Sequence, residues 1–202
     1  MIVAIARQFG AGTNRVAAAA AAGLGYELVA DQLPETVAIR LDTSPEDIRG
    51  SEQAVLSFGE RLLRSLQAAT PEVGAALESA DDDVVREIQR LVREYAERGN
   101  CVIVGHGATA ILRGRPDVVS VLVGAPIEWR AQRIADWWKV SPEVARAEIE
   151  RVDRARLAYV TRHYGADASE PGRYALTVDT QALGFEAAAA AIVAAVQAKS
   201  PA

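Results

Sequence analysis

The sequence predicts a single α/β domain: a parallel sheet covered by helices on both faces, with an anion-binding glycine turn after its first strand. Three observations carry this. Short, mostly β-branched apolar runs recur at residues 2–6, 26–30, 101–105, 118–123 and 174–179, and each after the first follows a helical pattern. That alternation builds parallel sheets with helical crossovers. The first run, Ile2-Val3-Ala4-Ile5-Ala6, opens into Arg7-Gln8-Phe9-Gly10-Ala11-Gly12-Thr13-Asn14-Arg15 and then an alanine-rich stretch, giving strand, glycine turn and helix in order. A chain of 202 residues, half of them hydrophobic, suffices for one full core with a mobile sub-domain rather than two independent domains.

The elements follow in turn. Six successive alanines, Ala17 to Ala22, predict a first helix from about Gly12 to Ala22, with Gly23 as its stop. From Leu33 to Arg98 the chain is helical in character, broken by Pro34, by Ser44-Pro45-Glu46-Asp47 as a cap-like start, and by Pro71 and Gly74. This is too long for a plain crossover. Its last helix is expected to start at Asp81-Asp82-Asp83, to bury Val84, Ile88, Leu91 and Tyr95 on one face, and to end at Gly99. The acidic triplet reads as a solvated helix cap, a metal site being the alternative. A second insert opens at Ser141-Pro142-Glu143, a cap with proline at the first helical position, and runs as an arginine-dense helix to about Tyr164.

Charge and composition narrow the function classes. A net charge of −5 gives no long-range attraction for DNA, RNA or anionic lipid, so neither nucleic acid nor a membrane is an expected partner. The opening Met1-Ile2-Val3 lacks the basic stretch of a signal peptide, and no apolar run is read as approaching the roughly 20 residues of a membrane helix. The single Cys101 cannot form an internal disulfide and lies in the apolar run Cys101-Val102-Ile103-Val104. A cytoplasmic protein with a buried thiol is the expectation.

Three groups of residues could carry chemistry. The first is the glycine turn. Backbone N–H groups at a helix start have no partners within the helix and lie at the positive end of its dipole, so they hold anions such as phosphate. Gly10-Ala11-Gly12 also begins a dinucleotide fingerprint, with Asp31 about twenty residues on, but Arg15 stands where the third glycine belongs. Arg7, Gln8 and Phe9 lengthen the turn, which favours a loop that wraps a phosphate chain; a purely structural glycine turn stays open. The full phosphate-loop pattern would place Lys after Gly12, where this chain has Thr13 and Asn14.

The second group is Gly105-His106-Gly107-Ala108 after the third strand. Ligands of open parallel sheets collect beyond the carboxyl ends of the strands, so this turn and the first loop should be neighbours. His106 reads as a turn residue or helix-end hydrogen bonder rather than a general base. The third group is basic: Arg130 and Arg133 one turn apart, then Arg146, Arg151, Arg154, Arg156 and Arg162 interleaved with Glu143, Glu148, Glu150 and Asp153. A salt-bridged solvent face explains such a pattern. Phosphoryl transfer gives the alternative, because cations must meet the migrating phosphoryl oxygens. One such charge about 4 Å from a phosphate oxygen is worth roughly 4 kcal/mol at an effective dielectric near 20.

Together Arg7-Gln8-Phe9-Gly10-Ala11-Gly12, Val102-Ile103-Val104-Gly105-His106-Gly107-Ala108, Ala125-Pro126 with Arg130 and Arg133, Asp153-Arg154-Ala155-Arg156 with Tyr159, and Tyr174 to Thr180 resemble the cytidylate kinase-like family of P-loop proteins. The resemblance implies a P-loop NTPase-type three-layer fold with a five-stranded parallel sheet. It also implies a helical insert at about residues 32–98 that binds a nucleoside monophosphate (NMP), a lid at about 138–170, and phosphoryl transfer from ATP with Mg²⁺ to CMP or dCMP. By position, Arg7, Gln8, Phe9, Gly10, Ala11, Gly12, Thr13, Asn14 and Arg15 would hold the donor phosphates, with Mg²⁺ on the nucleotide rather than on protein ligands. Asp31, Gly105 and His106 would lie on the acceptor side. Arg130, Arg133, Arg154 and Arg156 would be lid and near-lid cations, with Asp153 orienting one of them.

The chain departs from the family pattern at Thr13 and Asn14, at His106 where arginine is usual, and at Ala168 and Ala175 where tryptophan and aspartate are usual. These departures support an alternative: a catalytically impaired nucleotide-binding or regulatory protein that retains the kinase fold. Trp129, Trp137 and Trp138 near the lid base suit a local core or a partner surface such as a homodimer's.

Overall fold

The computed structural model describes residues 1–30, 36, 71–165 and 168–199, with backbone alone for 71–81. Asp31 and most of the 32–98 insert therefore lie outside the described residues. Five strands, β1 (Ile2–Arg7), β2 (Glu27–Val29), β3 (Cys101–Val104), β4 (Val118–Gly124) and β5 (Leu176–Asp179), form one sheet in the order β2-β3-β1-β4-β5. Every pairing is parallel, with β1 central: Val3 lies opposite Val102 on one side and Val119 on the other. All five strand-like runs of the sequence become strands of this sheet.

Alternation along the strands feeds two cores. Val3, Ile5, Val102, Val104, Val119, Val121, Val123 and Val178 pack against helices α1 (Thr13–Leu24) and the C-terminal helix (Thr180–Lys199). Ile2, Ala4, Cys101 and Ile103 face the other way, onto Ile88, Leu91 and Val92 of α2 (Pro71–Arg98) and Ala108 of the short α3 (Ala108–Ile111). Two apolar faces covered by helices make the three layers expected of near-continuous hydrophobic parallel strands. Beyond β4 come α4 (Ile127–Trp138) and α5 (Pro142–Tyr164), which pack together through Ala131, Ile134, Ala135, Ala145 and Ile149; the C-terminal helix is α6.

Three local expectations are corrected. Helix α1 runs through Gly23 to Leu24 and is capped by Gly25 in the left-handed conformation, whose N–H meets the carbonyls of Ala21 and Ala22. Gly23 stays helical because its missing side chain lets α6 approach: a Cβ there would meet Val193 at 3.1 Å. Helix α2 begins at Pro71, so Asp81-Asp82-Asp83 sits inside it rather than at its start. There Asp83 pairs with Arg86, one turn on. Finally, α6 is long and apolar enough to cross a membrane by length and composition alone, contrary to the sequence expectation of no such run. Of its apolar residues, Ala188, Ala189, Ile192 and Val196 pack against the sheet and α1.

Cys101 is wholly buried, and its thiol faces the Tyr95 carbonyl at 3.5 Å. Burial, reinforced by the charge of Glu27, pushes the thiol up to about 11. The folded protein is therefore expected to resist a soluble thiol reagent at pH 8 and to take up one equivalent on unfolding. Rapid stoichiometric labelling of the native state would contradict this placement.

Candidate functional site

Strand β1 leads through α1 to β2, on the far side of β3, whereas β3 leads through α3 to β4, on the far side of β1. The connections part between β1 and β3, and in open α/β sheets the ligand crevice lies beyond the carboxyl ends at such a point. Two loops meet there: Gln8 to Gly12 after β1, and Gly105-His106-Gly107 after β3. They are in contact, since a Cβ on Gly105 would lie 3.6 Å from the Arg7 guanidinium.

The first loop is shaped by donors that take its carbonyls one after another. The Gln8 carbonyl accepts the Ala11 N–H at 3.3 Å. Arg130 Nη1 donates to the Phe9 carbonyl at 2.9 Å, Arg133 Nη1 to the Gly10 carbonyl at 2.9 Å, and the Thr180 hydroxyl to the Ala11 carbonyl at 2.7 Å. A trans peptide plane points its N–H opposite to the preceding carbonyl, and no described peptide bond is cis. Pinning the carbonyls of Phe9 and Ala11 therefore turns the N–H groups of Gly10 and Gly12 the other way. Among the described residues the N–H groups of Gly10, Gly12, Thr13 and Asn14 have no hydrogen-bond acceptor, and no side chain caps α1. Four unsatisfied amides around a helix N-terminus are an arrangement that can receive an anion. Gly10 at φ 82° and Gly12 at φ 77° hold the left-handed turns this path needs, and Phe185 packs so closely on Gly12 that a Cβ would fall 2.3 Å from its ring.

Arg130 and Asp153 anchor the loop. Arg130, only 4% exposed, also donates through Nε to the Ala125 carbonyl at 2.8 Å and through Nη1 to Asp153 Oδ2 at 2.6 Å. The other Asp153 oxygen accepts the Phe9 N–H at 2.8 Å. One ion pair thus fastens α4, α5 and the loop to each other. Gln8 adds a tie to β4, its Oε1 accepting the Ala125 N–H at 3.1 Å against Gly124.

A profile of the cytidylate kinase-like family matches residues 2–182. The chain belongs to this family. A cytidylate kinase of Aeropyrum pernix is 38% identical over 111 residues, which span 54% of this chain and 63% of that relative, so the match covers less than two thirds of its length. A cytidylate kinase of Natronomonas pharaonis is 25% identical over all of this chain and 92% of its own. Among solved structures, an uncharacterised protein from Eubacterium ventriosum shares the fold with a TM-score of 0.70 at 18% identity, covering 98% of each chain. The five-stranded parallel sheet of this cytidylate kinase-like chain, covered by helices on both faces, is the α/β fold those comparisons share.

Within this cytidylate kinase-like site, Arg133 lies between two rings, its Cζ 4.7 Å from the Trp129 centroid and 4.9 Å from that of Phe185. Burial, then the nearby charge of Arg15, lower its pKa, and it has no carboxylate partner among the described residues. An uncompensated, partly buried cation beside free amides deepens the positive potential there. Arg15 stacks on Phe185 at 4.4 Å and pairs with Glu186 at 3.1 Å. Arg156 lies over the Phe9 ring, 5.6 Å from its centroid. Arg154 is not brought to the loops: its side chain is 68% exposed and lies 3.7 Å from Glu150.

The second loop holds three successive left-handed residues, Gly105, His106 and Gly107. His106 is buried and donates through Nε2 to the Ala30 carbonyl at 3.1 Å, which ties the turn to the end of β2. Tyr164 from the last turn of α5 rests on Gly107, where a Cβ would fall 2.3 Å from its ring. Helix α5 therefore touches both loops, through Asp153 and through Tyr164. Thr180 and Phe185 were not singled out as site residues from sequence. The only signal for Thr180 was its place at the end of the fifth strand, since a hydroxyl that bonds a carbonyl 169 positions away leaves no local pattern.

Removing Asp153 would strand the buried Arg130 charge. Asp153→Ala is expected to cost about 3 kcal/mol and to lower Tm on the order of 6–12 °C. An unchanged melting temperature would contradict the clamp.

Proposed function

We propose that this protein is a nucleoside-monophosphate kinase that transfers the terminal phosphoryl group of ATP to CMP or dCMP, giving ADP and CDP or dCDP. The observation that carries the reading is the set of free amides at Gly10, Gly12, Thr13 and Asn14, a backbone cradle for the donor's phosphates. Mg²⁺ arrives with ATP as part of the substrate, held by the phosphates. Arg133, with Trp129 and Phe185, offers a stacking surface on the donor side of the cradle. The acceptor belongs beside the Gly105-His106-Gly107 turn, with Asp31 and the 32–98 insert completing its subsite. Helix α5 forms the lid over about 138–170, and its Arg156, over the Phe9 ring, joins Arg130 and Arg133 as the cations around the transfer, while Arg154 points away to Glu150.

The chemistry needs little from the protein beyond position and charge. The bond between the γ-phosphorus and the β,γ-bridging oxygen breaks, and its electron pair leaves with ADP. An oxygen of the acceptor monophosphate forms the new bond. With a second pKa near 6, that phosphate is already largely a dianion at neutral pH, so no general base is required. Holding the phosphates in line and out of water supplies the acceleration.

A second reading, a nucleotide-binding protein that keeps the fold without useful turnover, is favoured by Thr13 at the lysine position and by His106, whose ring is committed to Ala30. One measurement separates the two. Coupled ADP release with CMP, dCMP, UMP and AMP as acceptors, alongside ATP calorimetry, is expected to show acceptor-dependent turnover that is fastest with the cytidylates. ATP binding with no acceptor-dependent ADP would leave only the second reading.

A further inference from the structure

A P-loop without its lysine must find positive charge elsewhere or do without it. Three nearby cations are already engaged: Arg130 by Asp153 and two carbonyls, Arg15 by Glu186 and the Phe185 ring, and Arg133 by the Gly10 carbonyl between two rings. Arg7 is held differently. It ends β1, the central strand, and its guanidinium crosses the switch-point crevice to lie against Gly105, 3.6 Å from where a Cβ would sit. Its one hydrogen-bond partner among the described residues is neutral: Nη1 donates to the Asn14 side-chain oxygen at 3.3 Å. Its Nε is buried and meets no acceptor among the described residues. Thr13, which occupies the lysine position and is only 5% exposed, likewise buries a hydroxyl without a partner. Buried donors left unsatisfied are costly, and an incoming anion recovers that cost.

We propose that Arg7 stands in for the missing loop lysine, with the Thr13 hydroxyl as a second donor, and grips the terminal phosphoryl group of a nucleoside triphosphate where the donor loop meets the Gly105 turn. The proposal rests on the nucleotide-binding reading above and adds to it the source of the charge. Asn14 explains itself on this account: its side-chain oxygen steadies the guanidinium without neutralising it. Glycine at 105 does too, because the guanidinium lies flat against a position with no side chain. Since the transferred group moves from the loop toward that turn, a cation bridging them meets its oxygens before and during transfer, and so acts on rate as well as on binding.

The test uses calorimetry with Mg²⁺-tripolyphosphate, a probe with no base or sugar, on the wild type and on Arg7→Gln, Arg7→Met, Arg7→Lys, Thr13→Val and the remote charge control Lys199→Gln, at the amino end of β4 where Lys199 bonds the Val118 carbonyl. CMP-dependent ADP release is measured on the same proteins. Arg7→Gln is expected to weaken tripolyphosphate at least about tenfold and to lower kcat on the order of a hundredfold or more. Arg7→Met should lose as much as Arg7→Gln, Arg7→Lys should recover most of both, Thr13→Val should lose binding severalfold, and Lys199→Gln should match the wild type. If Arg7→Gln does not fold, Arg7→Met, which keeps the aliphatic stem without the charge, and Thr13→Val carry the test, and wild-type affinity and turnover in both would overturn the proposal. Arg7→Gln within twofold of wild type in binding and kcat would also overturn it, while leaving a working kinase in place. Arg7-dependent tripolyphosphate binding with no CMP turnover in the wild type would uphold the role of Arg7 and sink the kinase reading. A wild type that binds no tripolyphosphate would end both.

Discussion

The buried ion pair between Arg130 and Asp153 is the constraint on which the loop depends. Asp153 uses one oxygen on Arg130 and the other on the Phe9 N–H, while Arg130 reaches back to the Phe9 carbonyl, so both polar groups of one loop residue are fixed by one salt bridge. Ion pairs of this kind gain little over apolar packing in stability, because desolvation consumes most of the Coulomb energy. What this pair secures is direction. With the carbonyls of Phe9, Gly10 and Ala11 held by Arg130, Arg133 and Thr180, peptide planarity decides where the neighbouring amides point.

That geometry gives the arginines around the loop two kinds of work. Arg130 is a shaping residue in this structure, committed to carbonyls and a carboxylate. Arg133 both shapes and exposes charge, holding the Gly10 carbonyl while lying between Trp129 and Phe185 without a carboxylate to neutralise it. Arg7 is the least committed of the three, bonded to a neutral amide at the crevice. Around one loop thus lie unbonded backbone amides, the α4 arginines that hold its carbonyls, and Arg7 at the end of β1. Helix α5 unites the halves, since Asp153 holds the donor loop and Tyr164 rests on Gly107 of the other turn.

The sheet was legible in the sequence because its strands are short β-branched runs buried on both faces, a pattern few other structures produce. The ends of helices were less so. Gly23 reads as a stop, yet here it is a small residue admitting α6, and Gly25 two positions later does the capping. Three aspartates read as a helix start, but an i,i+3 pair between Asp83 and Arg86 lets one of them sit mid-helix. Of the site, the glycine loop and the meeting of the two turns followed from topology. The division of labour among the arginines did not, because it is set by contacts such as Arg130 to Phe9, 121 residues apart. Thr180 was invisible for the same reason. The apolar α6 shows the opposite failure, where composition alone suggests a membrane helix and packing supplies another explanation.

The proposed donor site stands or falls with the amides after β1, turned open by their pinned carbonyls to receive an anion. Amide-resolved ¹H–¹⁵N NMR during titration with Mg²⁺-tripolyphosphate tests it most directly. The expected result is saturable downfield shifts, the largest in the protein, at Gly10, Gly12, Thr13 and Asn14, with the Ala11 amide, already bonded to Gln8, moving least within the loop. Saturable binding whose shifts fall elsewhere, with those four amides unmoved, would contradict it.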